Sequence, residues 1–286
     1  MSNNLSRHRR LGRRRNRPIG IFDSGIGGLS IALEIRRVLP HERLLYVADS
    51  GHAPYGDQPP AFIERRSLAI VDFLIEQNAK AVVVACNTAT ALAVEALRAR
   101  WSLPIVAIEP AVKPAAATTR SRVVGVLATT QTIASTRFER LAETFGADVQ
   151  ILAQPCPGLV DRVEAGDRGG TETRRLVEGY VRPLIEKGVD TLVLGCTHYP
   201  FVRGLIEEAA GPGVAIIDPA AAVARELRRR LAEDQLLADD ADPGSMRFWT
   251  TGDPARMSDI LASLGVDAGV VQSVPEGGPK GPPLRS

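Results

Sequence analysis

Short apolar runs that alternate with helical patterns most constrain what this chain can fold into. The clearest run begins at Lys80 and reads KAVVVACNTAT; its β-branched stretch ends in a polar turn that opens a helical segment. Residues 191–200, TLVLGCTHYP, repeat this arrangement later in the chain. Strands that are apolar on both faces and alternate with helices are typical of a parallel sheet that helices cover on both sides. The sequence therefore predicts an α/β fold.

The two halves of the chain also resemble each other. Cys86 ends the apolar run of the first half and Cys196 ends that of the second, while GIFDSGIGG in the first half corresponds to GVLATTQT in the second. Self-similarity over such a long period indicates a duplication. We therefore expect two pseudo-symmetric lobes, each a mainly parallel sheet flanked by helices, with an active site between them. The expected boundaries are residues 1–17 for a disordered basic arm, 18–110 for lobe 1 with a return segment from about 220 to 254, 111–219 for lobe 2, and 255–286 for a partly disordered tail.

The amino-terminal stretch is strongly basic, whereas the rest of the chain is mildly acidic. Residues 1–17 contain seven arginines and no acidic residue, although the formal net charge of the whole chain is +2. Such an arm can contact nucleic acid or an anionic membrane, but a solvated extension or a misassigned start codon is the simpler interpretation. No apolar run approaches the roughly 20 residues that span a membrane, and no apolar segment of a secretory signal follows the arm. We expect a cytoplasmic protein.

Three cysteines in 286 residues are too few for a disulfide framework, and they lack the spacing of a structural zinc site. Cys86 and Cys196 both lie at the carboxyl end of a predicted strand, where open α/β sheets bind ligands. Each precedes a helix start, whose free N–H groups bind anions and lower the pKa of a thiol. Cys156 has no such surroundings and is predicted to be structural. A single strand-end cysteine is more often a buried small side chain, so the functional interpretation depends on the pair.

Two equivalent thiols that face one ligand suit the inversion of a carbon stereocentre. Proton removal needs a base on one face and reprotonation needs an acid on the other, because a single base tends to return the proton to the face that it left. A thiolate is a competent base when its pKa lies near the operating pH, and its partner must then start protonated. The sequence therefore predicts one thiolate and one thiol that act as an acid/base pair, whereas a redox role would favour adjacent cysteines.

Five motifs in order, with two further segments, resemble those of bacterial glutamate racemases. The resemblance spans residues 18–254 and rests on DSGIGG (23–28), PYG (54–56), VVACNTAT (83–90), IEPA (108–111), LGCTHYP (194–200), CPGLVDRVEAG (156–166) and TTGDP (250–254). It implies an amino-acid racemase that interconverts L- and D-glutamate without a cofactor or a metal and supplies D-glutamate for peptidoglycan synthesis. It also implies a homodimer and, as in some members, a secondary interaction with DNA gyrase.

The resemblance assigns roles to residues at matching positions. Cys86 and Cys196 would exchange protons with the substrate, with Asp23 and His198 near the two thiols as assisting catalytic groups. The carboxylate and amino groups of the substrate would be bound by Asp23, Ser24, Tyr55, Gly56, Asn87, Thr88, Thr197 and His198. Without the motifs, Asp23 would be interpreted as a helix N-cap and His198 as a hydrogen-bonded core residue.

Other positions in the motifs concern the turn, the middle segment and the loops. Gly25, Gly27 and Gly28 would permit a tight turn and a close approach to the ligand. Glu164 either assists at the site or is a solvated helix residue. The chain departs from the family at Asp57-Gln58, where a lysine is usual two residues after PYG, and at Thr90, where serine is common. These departures affect loop contacts and remove no proposed catalytic group.

Four other functions fit parts of the sequence. Aspartate racemases and other amino-acid racemases of the same superfamily share the two-lobe plan. The GxGG turn, with Asp49 after the second strand, would suit a nucleotide-binding protein, although the GxGxxG spacing is not met. Pyridoxal-dependent racemisation would need a Schiff-base lysine, and none of the four lysines lies at a recognisable site. The arginine arm leaves open a non-enzymatic, gyrase-binding regulator.

Overall fold

The computed structural model describes residues 14–146, 148–239, 241 and 243–275, which form two parallel sheets flanked by helices. The α/β class and the two-lobe arrangement expected from the sequence are confirmed. Residues 1–13 of the expected basic arm and 276–286 of the expected tail lie outside the described residues. Within the described part, no helix is both long enough and apolar enough to cross a membrane.

The strands of the described residues form one sheet in each lobe. They are β1 (Ile19–Asp23), β2 (Arg43–Ala48), β3 (Ala81–Val84), β4 (Ile105–Ala107), β5 (Val123–Ala128), β6 (Gln150–Pro155), β7 (Thr191–Gly195), β8 (Ala215–Ile217), β9 (Ser245–Thr250) and β10 (Gln272–Ser273). The first sheet has the order β10-β9-β2-β1-β3-β4 and the second the order β6-β5-β7-β8. Every pairing in both sheets is parallel.

Helices connect these strands, as parallel pairing requires. They are α1 (Leu29–Val38), α2 (Pro60–Glu76), α3 (Asn87–Arg100), α4 (Val112–Thr118), α5 (Thr130–Ile133), α6 (Thr136–Phe145), α7 (Leu159–Glu164), α8 (Thr171–Glu186), α9 (Arg203–Ala210), α10 (Ala220–Glu233) and α11 (Pro254–Ser263). Short 3-10 helices cover Ser50–His52, Tyr55–Asp57 and Tyr199–Val202.

The two runs that the sequence analysis singled out form inner strands. β3 lies between β1 and β4, β7 lies between β5 and β8, and every residue of both strands is buried. Burial on both faces explains why these runs are continuously apolar rather than alternating. Cys86 and Cys196 lie just beyond the carboxyl ends of these strands, so both are held by rigid central elements of their lobes.

The chain returns to the first sheet after the second is complete. α10 packs against α1, and β9 pairs in parallel with β2 along six residues. The following helix, α11, begins with Asp253 as its N-cap, whose carboxylate accepts the N–H of Ala255 at 2.9 Å, and it buries Leu261 completely. From the sequence we expected a return segment of lobe 1 at about residues 220–254 and a partly disordered tail after it, but we assigned neither the strand β9 nor the helix α11.

The first described residues are attached at the amino-terminal end of the first sheet. Lys80, directly before β3, is buried, forms an ion pair with Glu42 at 2.5 Å, and donates from Nζ to the carbonyl of Arg15. Arg15 also donates from Nε to the carbonyl of Gln235 at 3.1 Å. The base of the basic arm is therefore held at the opposite end of β3 from Cys86.

Candidate active site

Cys86 follows β3 and is the N-cap of α3. Its Sγ accepts the N–H of Ala89 at 3.4 Å, and the thiol donates to the Ser24 hydroxyl at 3.7 Å. Burial raises the pKa of Cys86 well above its ordinary value; the Asp23 carboxylate adds to the rise, whereas the Ala89 N–H and the Ser24 hydroxyl oppose it. The expected lowering of the thiol pKa by the helix start is therefore wrong for Cys86, because desolvation outweighs it.

Cys196 follows β7 in the other lobe and has charged neighbours. Its Sγ lies 3.7 Å from Nδ1 of His198, whose Nε2 lies 2.6 Å from Oε1 of Glu164. Burial alone would lower the pKa of His198, but Cys196 and Glu164 outweigh it and raise that pKa well above its ordinary value. Burial would raise the pKa of Glu164, but His198 lowers it overall. An imidazolium held by a carboxylate therefore lies beside Cys196 at neutral pH.

Asp23, the last residue of β1, connects the two lobes. Its Oδ2 accepts the N–H of Gly28 at 2.7 Å and the hydroxyl of Thr197, in the other lobe, at 3.2 Å. Its buried Oδ1 has no hydrogen-bond partner among the described residues. Burial raises the pKa of Asp23, although His198 and the Gly28 N–H oppose the rise. Asp23 acts on Cys86 through its charge, as the shift of the thiol pKa indicates.

A second contact between the lobes mirrors the first. Thr88, at the start of α3, lies with its hydroxyl 3.0 Å from that of Thr129, which follows β5. Thr129 is in turn 2.8 Å from the Thr132 hydroxyl. Each cysteine-bearing turn is thus hydrogen-bonded to a strand end of the opposite lobe. Thr129 was not predicted as a site residue, although its correspondence with the turn after β1 was the signal that could have found it.

One small cavity of about 10 Å³ lies between the lobes and is lined by both thiols. Seven of the eight residues predicted to bind substrate line it. The eighth, Asp23, does not line it and accepts a hydrogen bond from Thr197, which does. Asn87 contributes a side-chain amide whose N and O atoms are buried and have no partner among the described residues. The lining residues that the sequence analysis missed are Pro54, Thr129 and Val160.

The glycine turn after β1 packs against the opposite lobe. A Cβ on Gly25 would overlap the Glu164 carboxylate, and a Cβ on Gly27 would lie 2.5 Å from Nδ1 of His198. The Ile26 N–H donates to Oε1 of Glu164 at 2.8 Å. The glycine turn therefore approaches His198 and Glu164 closely, whereas the sequence predicted a close approach to the ligand. Glu164 is a hydrogen-bond partner of His198 and not a solvated helix residue.

Cys156 differs from the other two cysteines. It is buried, its thiol donates to the carbonyl of Gln154 at 3.4 Å, and it does not line the cavity. Burial raises its pKa to about 12. A thiol with these surroundings stays protonated and unreactive at neutral pH.

Comparison with known proteins identifies relatives along nearly the whole chain. The family model described as Asp/Glu/Hydantoin racemase matches residues 30–227. A glutamate racemase from Stutzerimonas stutzeri (strain A1501) is 53% identical over 259 residues, which cover 90% of this chain and 97% of that protein.

Solved structures agree with the sequence relatives. A glutamate racemase isoform from Bacillus anthracis superposes with a TM-score of 0.84 at 34% identity, over 91% of this chain and 98% of that one. A glutamate racemase from Francisella tularensis, solved in complex with D-glutamate, superposes with a TM-score of 0.80 at 29% identity, over 91% and 98% of the two chains. The chain therefore belongs to the Asp/Glu/Hydantoin racemase family and, within it, to the glutamate racemases.

Proposed function

We propose that the chain interconverts L- and D-glutamate by proton transfer at the α-carbon, with Cys86 and Cys196 as the two bases and without a cofactor. The observation that carries this proposal is the position of two thiols, one from each lobe, on a single buried cavity. Membership of the glutamate racemases and the D-glutamate complex of the Francisella tularensis relative support glutamate as the substrate.

The surroundings of the two thiols differ before substrate binds. Cys86 keeps its proton because burial and Asp23 raise its pKa. The imidazolium of His198 lies beside the Cys196 sulfur, where it would favour negative charge during proton transfer, and Glu164 holds the ring in place through Nε2. A two-base racemase requires one thiol and one thiolate at the same cavity, and these two cysteines are proposed to supply them.

Proton transfer then follows from this arrangement. The Cys196 thiolate removes the α-proton of one enantiomer, and the electron pair of the broken C–H bond remains on the α-carbon. The Cys86 thiol delivers its proton to the opposite face of that carbon, which completes the inversion. The enzyme is left with a Cys86 thiolate and a Cys196 thiol, and this state accepts the other enantiomer.

Polar groups around the thiols suit the two ends of an amino acid. We assign the α-carboxylate to the free amide of Asn87 and the N–H groups at the start of α3, because a helix start binds anions. We assign the ammonium group to the Thr197 hydroxyl, which lines the cavity and is oriented by its hydrogen bond to Asp23. Ser24 and the Tyr55–Gly56 segment complete the lining on the Cys86 side.

The direct test is polarimetry or circular dichroism on glutamate and on aspartate with dialysed enzyme. We expect both glutamate enantiomers to reach the racemic mixture and aspartate to react far more slowly. If the enzyme turns over aspartate faster than glutamate, its substrate is aspartate and not glutamate. Activity that disappears on dialysis and returns with pyridoxal phosphate would contradict the two-thiol mechanism.

We further propose the setting of this activity from the family resemblance. The enzyme supplies D-glutamate for peptidoglycan in the cytoplasm and acts as a homodimer, which light scattering on the purified chain tests. The seven arginines of residues 1–17 motivate a secondary interaction with DNA gyrase. A gyrase supercoiling assay with the full chain tests that interaction.

Deletion of residues 1–13 should leave racemisation within about twofold of the full chain, as is usual for terminal segments outside the site. The reason is that Arg15 is held at the amino end of β3, whereas Cys86 follows its carboxyl end. Initial rates with both enantiomers measure this. The deletion keeps Arg15 because its carbonyl accepts from Lys80. A large loss of rate would place the arm at the active site.

Substitution Glu164→Gln should lower kcat/KM and shift its alkaline limb to lower pH. The carboxylate raises the pKa of His198, so its removal lets the imidazolium lose its proton at lower pH and weakens the Cys196 thiolate. Below that limb the variant should retain more of the wild-type rate. A pH–rate profile from pH 6 to about 10 measures the shift. If the alkaline limb does not move, Glu164 takes no part in proton transfer.

A further inference from the structure

Asp49 is a fully buried carboxylate that the proton-transfer steps do not use. It follows β2 directly, and its oxygens accept hydrogen bonds from the Tyr55 hydroxyl at 2.5 Å, from Arg66 Nε and Nη2 at 2.9 and 2.7 Å, and from the Thr251 hydroxyl at 2.8 Å. Nδ1 of His52 lies 3.0 Å from Oδ1. The carboxylate considered above as a sign of a nucleotide site is therefore engaged within the protein.

The partners of Asp49 come from three separate parts of lobe 1. Arg66 lies in α2, Thr251 follows β9, and Tyr55 begins the 3-10 helix Tyr55–Asp57. Arg66 makes a bidentate contact, the geometry in which guanidinium–carboxylate pairs are strongest. Burial and the adjacent Asp49 carboxylate raise the pKa of Tyr55 well above its ordinary value, so its hydroxyl stays protonated and donates. Asp49 thus fixes Tyr55 to the scaffold of the lobe.

The Tyr55–Gly56 segment held in this way reaches the substrate cavity. Tyr55 and Gly56 line it beside Cys86, whereas Asp49 and Arg66 do not. On its other side the segment meets lobe 2, where a Cβ on Gly56 would lie 3.1 Å from the Cβ of Thr129. Because Asp49 accepts the Tyr55 hydroxyl, the position of this segment at the cavity depends on the Asp49 contacts.

We propose that Asp49, held by Arg66, is a positioning residue that sets the Tyr55–Gly56 segment against bound substrate. The proposal rests on the proposed racemisation of glutamate. It assigns Asp49 to substrate binding and not to proton transfer, since Cys86 and Cys196 are held by the ends of β3 and β7 and not by this segment. Loss of the Asp49 contacts should therefore weaken binding while the thiols keep their geometry.

The test compares KM and kcat in Asp49→Asn with those of the wild type. We expect KM for both glutamate enantiomers to rise about tenfold or more, the effect of losing hydrogen bonds to a charged group, with kcat within about threefold. Tyr55→Phe, which removes one donor and keeps the ring, should raise KM less. Arg66→Lys keeps the positive charge but loses the bidentate guanidinium contact, so its KM should lie between that of Arg66→Gln and that of the wild type.

A second carboxylate–guanidinium pair in the same lobe supplies the matched control. Arg100 Nη2 lies 3.0 and 2.8 Å from the two carboxylate oxygens of Asp72, which is in α2 like Arg66. Neither residue lines the cavity. Asp72→Asn should leave KM and kcat unchanged, and melting temperatures of both variants show how much of any effect comes from stability.

The outcomes separate this inference from the proposed function. A wild-type chain that does not racemise glutamate would overturn the function itself. An active wild type whose Asp49→Asn variant loses kcat at unchanged KM would overturn the positioning role. If Asp49→Asn fails to fold, Tyr55→Phe and Arg66→Lys decide: a raised KM supports the proposal, and an unchanged KM in both overturns it.

Discussion

Replacement of either Cys86 or Cys196 by alanine should abolish racemisation, with a loss of at least about 10³-fold in kcat/KM, within the range that general acid–base groups contribute. The two thiols lie in different lobes, and each has its own hydrogen-bond partners, Ser24 for Cys86 and His198 for Cys196. We expect each thiol to serve one face of the α-carbon. Removal of one therefore leaves inversion without its acid or its base.

The remaining thiol should still exchange the α-proton of one enantiomer with solvent. In deuterated water, Cys86→Ala should label one enantiomer through the Cys196 thiolate. Cys196→Ala should label the other more slowly, because burial raises the pKa of Cys86. Mass spectrometry after separation of the enantiomers measures both. Wild-type turnover in either variant, without added cofactor, would refute the two-base mechanism.

The third cysteine provides the control for these variants. Cys156 is buried like the other two but lies outside the cavity. Cys156→Ala should therefore racemise glutamate at close to the wild-type rate. The comparison separates the loss of a thiol at the cavity from the loss of a buried side chain elsewhere.

The positions of the two thiols could be predicted because they depend on local patterns. A continuous apolar run that ends in a polar turn places Cys86 at the end of an inner parallel strand, and the same pattern places Cys196. The carboxyl ends of such strands are where ligands bind. The choice of glutamate came from motif resemblance, since no periodicity in the chain defines the substrate.

Contacts between the lobes could not be predicted in this way. The pairing of His198 with Glu164 and of Thr88 with Thr129 depends on how two separately formed sheets face each other. Strand β9 was missed for a related reason, because its partner β2 lies about two hundred residues earlier in the chain. The thiol pKa was also misjudged: the helix start was visible in the sequence, but the degree of burial that outweighs it was not.

Substitution Gly27→Ala should reduce kcat/KM by about a hundredfold, the cost of displacing a reacting group by about 1 Å. The added Cβ would lie 2.5 Å both from Nδ1 of His198 and from the hydroxyl oxygen of Thr197. Neither side chain can move away freely, because His198 is hydrogen-bonded to Glu164 and Thr197 is hydrogen-bonded to Asp23. His198 and Thr197 are also buried. Relief of the overlap must move His198 away from Cys196 or separate the lobes.

Gly179→Ala is the matched control for this substitution. Gly179 lies within α8, and a Cβ there would meet nothing within 4 Å. Since alanine is favoured over glycine in a helix interior by roughly 0.5–1 kcal/mol, this variant should melt slightly higher and racemise at the wild-type rate. Polarimetry and thermal melts on both variants measure the difference. Wild-type activity in Gly27→Ala would mean that the lobes tolerate a wider spacing, and that the contact between the glycine turn and His198 is not needed to hold the Cys196 thiolate in place.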